Sequence, residues 1–178
     1  AYAARVTGRA AYRNACRESL RWLGAEMEKD GPWAGTWRHA YAAKPPHVAL
    51  PTSPDGAAAD ARGVSATSAL FVYLVALYTH TTGDETVSLA CRPHVTAALD
   101  FLLDRNRAPN GLFYRGWHQA KGKETWELCR QFRAMDQATV LLGLEAGSWL
   151  TGRPSYRLAA NRLEQRIELG GLHRLVVV

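Results

Sequence analysis

Two stretches of this chain have almost no polar side. Ala69-Leu70-Phe71-Val72-Tyr73-Leu74-Val75-Ala76-Leu77-Tyr78 is apolar or aromatic throughout, and Ala138-Thr139-Val140-Leu141-Leu142-Gly143-Leu144-Glu145-Ala146-Gly147 reads nearly the same way. A helix without a polar face must be covered all round, so both are predicted as interior helices. The segments after them are amphipathic instead. Tyr12, Ala15, Cys16, Ser19, Leu20, Leu23 and Met27 follow helical spacing, and adding 75 to each number gives Val87, Ala90, Cys91, His94, Val95, Ala98 and Leu102. Arginines and acids occupy the other faces, which predicts helices with one side in water. Pro93 falls inside the second of these, and its missing amide predicts a kink or a fresh start there.

A Thr-Gly pair separates each apolar stretch from its amphipathic successor, at Thr7-Gly8, Thr82-Gly83 and Thr151-Gly152, with spacings of 75 and 69 residues. Ala1-Tyr2-Ala3-Ala4-Arg5-Val6 reads as the end of a further inner helix. Recurrence at such a period indicates a repeat in which each unit cannot bury its apolar face alone. The unit is a helical hairpin, and the expected class is all-α: a single domain over 1–178 with buried inner helices alternating with half-exposed outer ones.

The connections are unequal. At the Thr-Gly end they are about four residues, whereas at the other end they run over 30–63 and 106–133. Connections of that length in a compact helical domain usually build a site. They carry Trp33, Trp37, Trp117 and Trp126, four of the six tryptophans, and only 51–59 has the composition of a flexible tip. The two rims also resemble one another. Asp30-Gly31-Pro32-Trp33-Ala34-Gly35-Thr36-Trp37-Arg38-His39 parallels Asn110-Gly111-Leu112-Phe113-Tyr114-Arg115-Gly116-Trp117-His118, and Gly171-Leu172-His173-Arg174 has the look of a third start.

Composition narrows the function classes. With 178 residues, 47% hydrophobic and 21% charged, the chain can bury a real core. The net charge of +6 is scattered along helices with no basic run interleaved with aromatics, so no nucleic-acid partner is expected. No run of 18 apolar residues is present, and neither a membrane span nor a signal segment is legible. Cys16, Cys91 and Cys129 lack metal-ligand spacing and read as small core residues. No metal, phosphate loop or other cofactor is expected.

Asp136 is the leading chemical candidate, since it follows a rim connection and opens an inner helix. It reads equally as a helix-start acid, worth ~0.5–2 kcal/mol, or as a carboxyl group whose pKa is raised by desolvation and which acts as a general acid. Asp60 and Glu124 are the rim carboxylates available as its complement. His118 beside Trp117 is a candidate acid or base, and His39 holds the matching rim position. The tryptophans offer flat faces to sugar rings or packing surface to helix ends. Arg115 and Arg133, with Arg130, offer forks for a carboxylate, and Gln137 adjoins Asp136 as a further substrate contact.

These residues carry a resemblance. Asn110-Gly111-Leu112-Phe113-Tyr114-Arg115-Gly116-Trp117-His118 resembles the rim loop of unsaturated glucuronyl and rhamnogalacturonyl hydrolases. Met135-Asp136-Gln137-Ala138, followed by Leu141-Leu142-Gly143-Leu144 and Thr151-Gly152, is similar to a pattern of endo-α-mannanases and sugar 2-epimerases. All are six-hairpin, (α/α)6-toroid carbohydrate-active enzymes, and the chain also resembles, less specifically, the helical toroid of thioredoxin-domain proteins. His118 stands where the hydrolases carry an aspartate, and Met135-Asp136 where the mannanases carry an aspartate pair. The resemblance implies about three hairpins of a partial toroid, a carbohydrate substrate, and glycosidic-bond hydrolysis by carboxylate acid/base catalysis. It also keeps open sugar 2-epimerisation by a histidine pair, and a non-catalytic toroid that binds a glycan or a protein. Association through exposed toroid edges is a further expectation.

Overall fold

Two of the three Thr-Gly turns lie within the residues that the computed structural model describes, which are 10–38, 60–119 and 125–170. Both turns stop a helix by the same means. The Thr82 hydroxyl donates to the Tyr78 carbonyl at 2.7 Å and accepts the Asp84 amide at 3.2 Å. Thr151 does the same with the Gly147 carbonyl at 2.7 Å and the Arg153 amide at 3.3 Å. The following glycines turn left-handed, with φ of 69° at Gly83 and 71° at Gly152, and their amides close on Thr79 and Ser148. A side chain would strain both positions, which is why the signature pairs threonine with glycine.

The class is all-α. Among the described residues there are five α-helices: α1 (Ala10–Ala25), α2 (Ser65–Thr82), α3 (Glu85–Phe101), α4 (Ala134–Thr151) and α5 (Pro154–Gly170). Helices α2/α3 and α4/α5 are the two hairpins. Asp84 caps α3 by accepting the Thr86 amide, and Pro154 opens α5, where its missing N–H would be unsatisfied in any case. The inner helices α2 and α4 pack side by side so closely that a β-carbon on Gly143 would lie 2.7 Å from the Ala69 Cβ. Around that contact Val72, Val75, Leu99, Val140, Leu144 and Leu163 are wholly buried. The 75-residue offset is visible in packing, since Leu20 and Val95 both enter the core.

Three expectations are corrected. Helices α2 and α4 are not covered all round: Leu70 and Leu142 are each 45% exposed and Trp149 is 58% exposed. Among the described residues the neighbouring helices leave one side of each inner helix open, along a shallow groove of about 380 Å³ that includes Tyr73, Leu77 and His80. Pro93 does not start its helix anew, for α3 runs through it with the ring on an exposed side. The helix instead loosens later, into a π-turn at Leu102–Asn106.

The long connections are also not plain loops. They supply a three-stranded antiparallel sheet, β1 (Asp60–Arg62), β2 (Gly116–Gln119) and β3 (Glu127–Cys129), in the order β1-β2-β3. Arg62, Trp117 and Leu128 are cross-strand neighbours, as are Ala61, His118 and Glu127. Each strand is three or four residues long, too short for alternation to be read from sequence. No helix among the described residues is long and apolar enough to cross a membrane.

Candidate functional site

The rim end of the inner helices is assembled on two buried amides. Asn106, fully buried after the π-turn, donates to the Gly63 carbonyl at 2.6 Å and to the Ser65 hydroxyl at 2.9 Å. Its side-chain oxygen accepts the Trp117 indole at 3.0 Å. One residue thus ties α3, the start of α2 and strand β2 together. Gln137 does the same on the other side. Its amide donates to the Phe113 carbonyl at 2.7 Å, and its oxygen accepts the Phe113 amide at 2.9 Å, with both residues at 0% exposure. This closed pair pins the rim hairpin, bridged at Arg107 and Phe113, onto α4. Gln137 is therefore a buried brace whose polar atoms are already used.

The aromatic residues divide. Trp37 is in the core, its ring 4.9 Å from that of Phe71 and its indole donating to the Leu23 carbonyl at 2.7 Å. Trp33, Trp117 and Trp126 meet at the sheet, with Trp33 5.7 Å from Trp117 and 4.9 Å from Trp126, crossed at 76° and 60°. The Arg62 guanidinium sits 5.1 Å from the Trp126 centroid, and that of Arg105 sits 5.8 Å from Trp117. Crossed rings with cations over their faces form a mutually packed cluster, a favourable geometry for aromatics. The rim motif therefore repeats in sequence but not in role: Trp33 joins this cluster while its counterpart Phe113 is in the core, and Trp37 is in the core while Trp117 joins the cluster. A second pair, Tyr114 and Phe132, stacks at 5.1 Å and 20° where β2 and α4 begin.

Asp136 sits in the first turn of α4, half-buried, and makes no capping bond. Its Oδ2 is buried and has no hydrogen-bond partner among the described residues. Burial pushes its carboxyl above the ordinary aspartate range, while the Arg133 and Arg115 guanidinium groups pull part of the way back. Arg115 is brought there by its own backbone, whose amide donates to the Gln131 carbonyl at 3.1 Å. Asp136, Arg115 and Arg133 thus form one charged cluster. Among the described residues, the charges that act on Asp136 are these two guanidinium groups.

His118 is across the sheet from Glu127, with Nε2 3.9 Å from the carboxylate, an ion pair whenever the imidazole is protonated. It lies in the next register position after Trp117, and side chains of successive strand residues point to opposite faces. His39 and Glu124 fall outside the described residues, and Asp60 is described only as the first residue of β1. No group of acids, histidines and cysteines among the described residues is arranged to hold a metal ion.

Sequence reasoning did not find Asn106 or Arg62. An isolated asparagine or arginine in a long connection carries no periodic signal, and its value depends on which distant backbone comes near. The Arg153, Tyr156 and Asp100 cluster, which joins the start of α5 to the last turn of α3, was missed for the same reason. There the Tyr156 hydroxyl donates to Asp100 at 2.7 Å, and burial with that carboxylate pushes the phenol up to about 12. No family model matches the chain, and no curated protein matches it.

Proposed function

We propose that the chain is part of an (α/α)-toroid carbohydrate-active enzyme that hydrolyses glycosidic bonds, with Asp136 as the general acid. The observation that carries this reading is the Asp136 carboxyl itself: half-buried, raised in pKa, with one buried oxygen that no described residue satisfies. A carboxylate serving only to start a helix would be hydrogen-bonded to backbone amides or open to water. In the proposed step the protonated carboxyl donates its proton to the glycosidic oxygen as the bond to the anomeric carbon breaks. Water adds to that carbon and gives its proton to a second base. His118 with Glu127 is the acid/base pair that the described residues offer at this end of the helices. Arg115 and Arg133 would meet a carboxylate on the sugar, which favours an acidic substrate. The open apolar side of α2 and α4 supports the toroid reading, because apolar strips of this kind seldom stay uncovered.

A second reading is a glycan-binding toroid without turnover. It is favoured by the two guanidinium groups that are the charges acting on Asp136 among the described residues, and by tryptophan rings that pack on one another. The test is the full reading frame, wild type beside Asp136→Asn, assayed on neutral and uronate-containing oligosaccharides by reducing-end detection. Turnover by the wild type and its loss in the variant, with sugar binding retained, is the expected result. Equal turnover in both proteins sinks the role of Asp136, and binding without turnover in either selects the second reading.

A further inference from the structure

A different cavity lies on the outer side of the rim hairpin. It is a groove of about 660 Å³ between the π-turn, residues 107–111 and residues 159–169 of α5. Leu103, Ala108, Ala159 and Leu169 give it apolar lining, and Arg107, Arg162 and Arg166 bring three guanidinium groups to it. Asp104 is the one acid in the lining.

Most of the other described arginines are engaged. Arg17 and Arg21 pair with Glu18, Arg38 and Arg62 with Glu28, Arg153 with Asp100, and Arg157 with Glu145. Arg92 donates to the Leu150 carbonyl at 3.0 Å, and Arg105 covers Trp117. The three groove arginines have no ion pair, hydrogen bond or ring contact among the described residues. Two of them, Arg162 and Arg166, are one helical turn apart on α5 and repel one another, since like charges at this spacing destabilise a helix. The Arg166 stem runs along the hairpin turn, where a β-carbon on Gly111 would be 3.6 Å from its Cγ.

We infer that this groove binds an oligoanionic saccharide, with Arg162 and Arg166 each holding one carboxylate or sulfate and Arg107 closing on the ligand from the opposite wall. A guanidinium fork matches either anion, and neutralising the pair removes its repulsion. The apolar lining suits the C–H face of a sugar ring, which a small inorganic anion would leave uncovered. Gln137 holds Phe113 on the α4 side of the rim hairpin while Gly111 faces Arg166 on the α5 side, so this site is separate from the Asp136 cluster. The inference does not rest on the catalytic reading.

The test is calorimetric titration of the full chain at low salt with trigalacturonate, a heparin-derived tetrasaccharide and maltotriose. Saturable binding of at least one acidic ligand, at least tenfold tighter than maltotriose, is expected, and the stronger of the two identifies the anion as carboxylate or sulfate. The double variant Arg162→Gln/Arg166→Gln should weaken it tenfold or more. A charge-matched control, Arg13→Gln/Lys29→Gln, should leave it within twofold, whereas a rim variant, Arg115→Gln/Arg133→Gln, removes any acidic-sugar contact at Asp136 and should leave the groove binding in place. Circular dichroism of each variant checks that its helices persist. Absence of acidic-ligand binding, equal loss in the control, or loss in the rim variant alone would overturn the inference, the last by moving the site to Asp136.

Discussion

Replacing Gln137 tests whether one buried amide holds the rim onto the inner helix. The side chain and Phe113 are both at 0% exposure, and the pair exchanges two hydrogen bonds of 2.7 and 2.9 Å. Gln137→Leu keeps the approximate shape and leaves the Phe113 amide and carbonyl without partners in a site that excludes water. Each stranded group costs about 1–3 kcal/mol, so the variant should lose about 2–6 kcal/mol in urea unfolding followed by circular dichroism. Gln137→Glu separates the two bonds. The introduced carboxyl can still accept the Phe113 amide, but it can donate to the carbonyl only while protonated. Its folded pKa is therefore raised above the unfolded value, which means that the folded state holds the extra proton. Its stability should approach that of wild type below the ordinary glutamate range and fall away as pH rises through the folded value. A Leu variant within about 0.5 kcal/mol of wild type, or a Glu variant whose deficit does not change with pH, would refute the reasoning.

Two further outcomes follow from the same packing. Gly143→Ala gains about 1 kcal/mol in helix propensity but drives a methyl into the Ala69 backbone, where overpacking costs about 1–3 kcal/mol. Since backbone cannot move aside as a side chain can, a net loss of up to about 2 kcal/mol is expected in thermal or urea unfolding, and a gain in stability would show that α2 and α4 are not in that contact. Asp136→Asn should be neutral or stabilising at pH 7, because burial raises the native carboxyl and makes its ionisation unfavourable in the folded state. The difference should vanish below the ordinary aspartate range, where wild type is protonated both folded and unfolded. A destabilisation that grows with pH would mean that the charged form is the favoured one.

Much of the helical frame was legible in the residues. Apolar runs at 69–78 and 138–147 marked the inner helices, and the Thr-Gly pairs marked their ends, because both signals are local. Asp136 was legible as a helix-start acid after a rim connection, but its unpartnered oxygen was not. The surroundings of a carboxyl group come from chain segments far away in sequence, here Arg115 with Arg133. Trp33 and Trp37 illustrate the same limit. They stand four residues apart in one rim motif, yet one joins a cluster with Trp117 and Trp126 and the other packs on Phe71.

The sequence by itself determined the class, the hairpin unit and where the inner helices α2 and α4 stop, since helical periodicity and a threonine-glycine stop act within a few residues. Only the tertiary structure decided the rest. Strands of three and four residues carry no period of their own and form because segments more than fifty residues apart come alongside. Asn106 and Gln137 become braces only when a distant backbone arrives with unsatisfied groups, and Arg107 gathers with Arg162 and Arg166 only once α5 lies against the rim hairpin. Burial, which sets the chemistry of each polar group, belongs to the packed whole rather than to the residue.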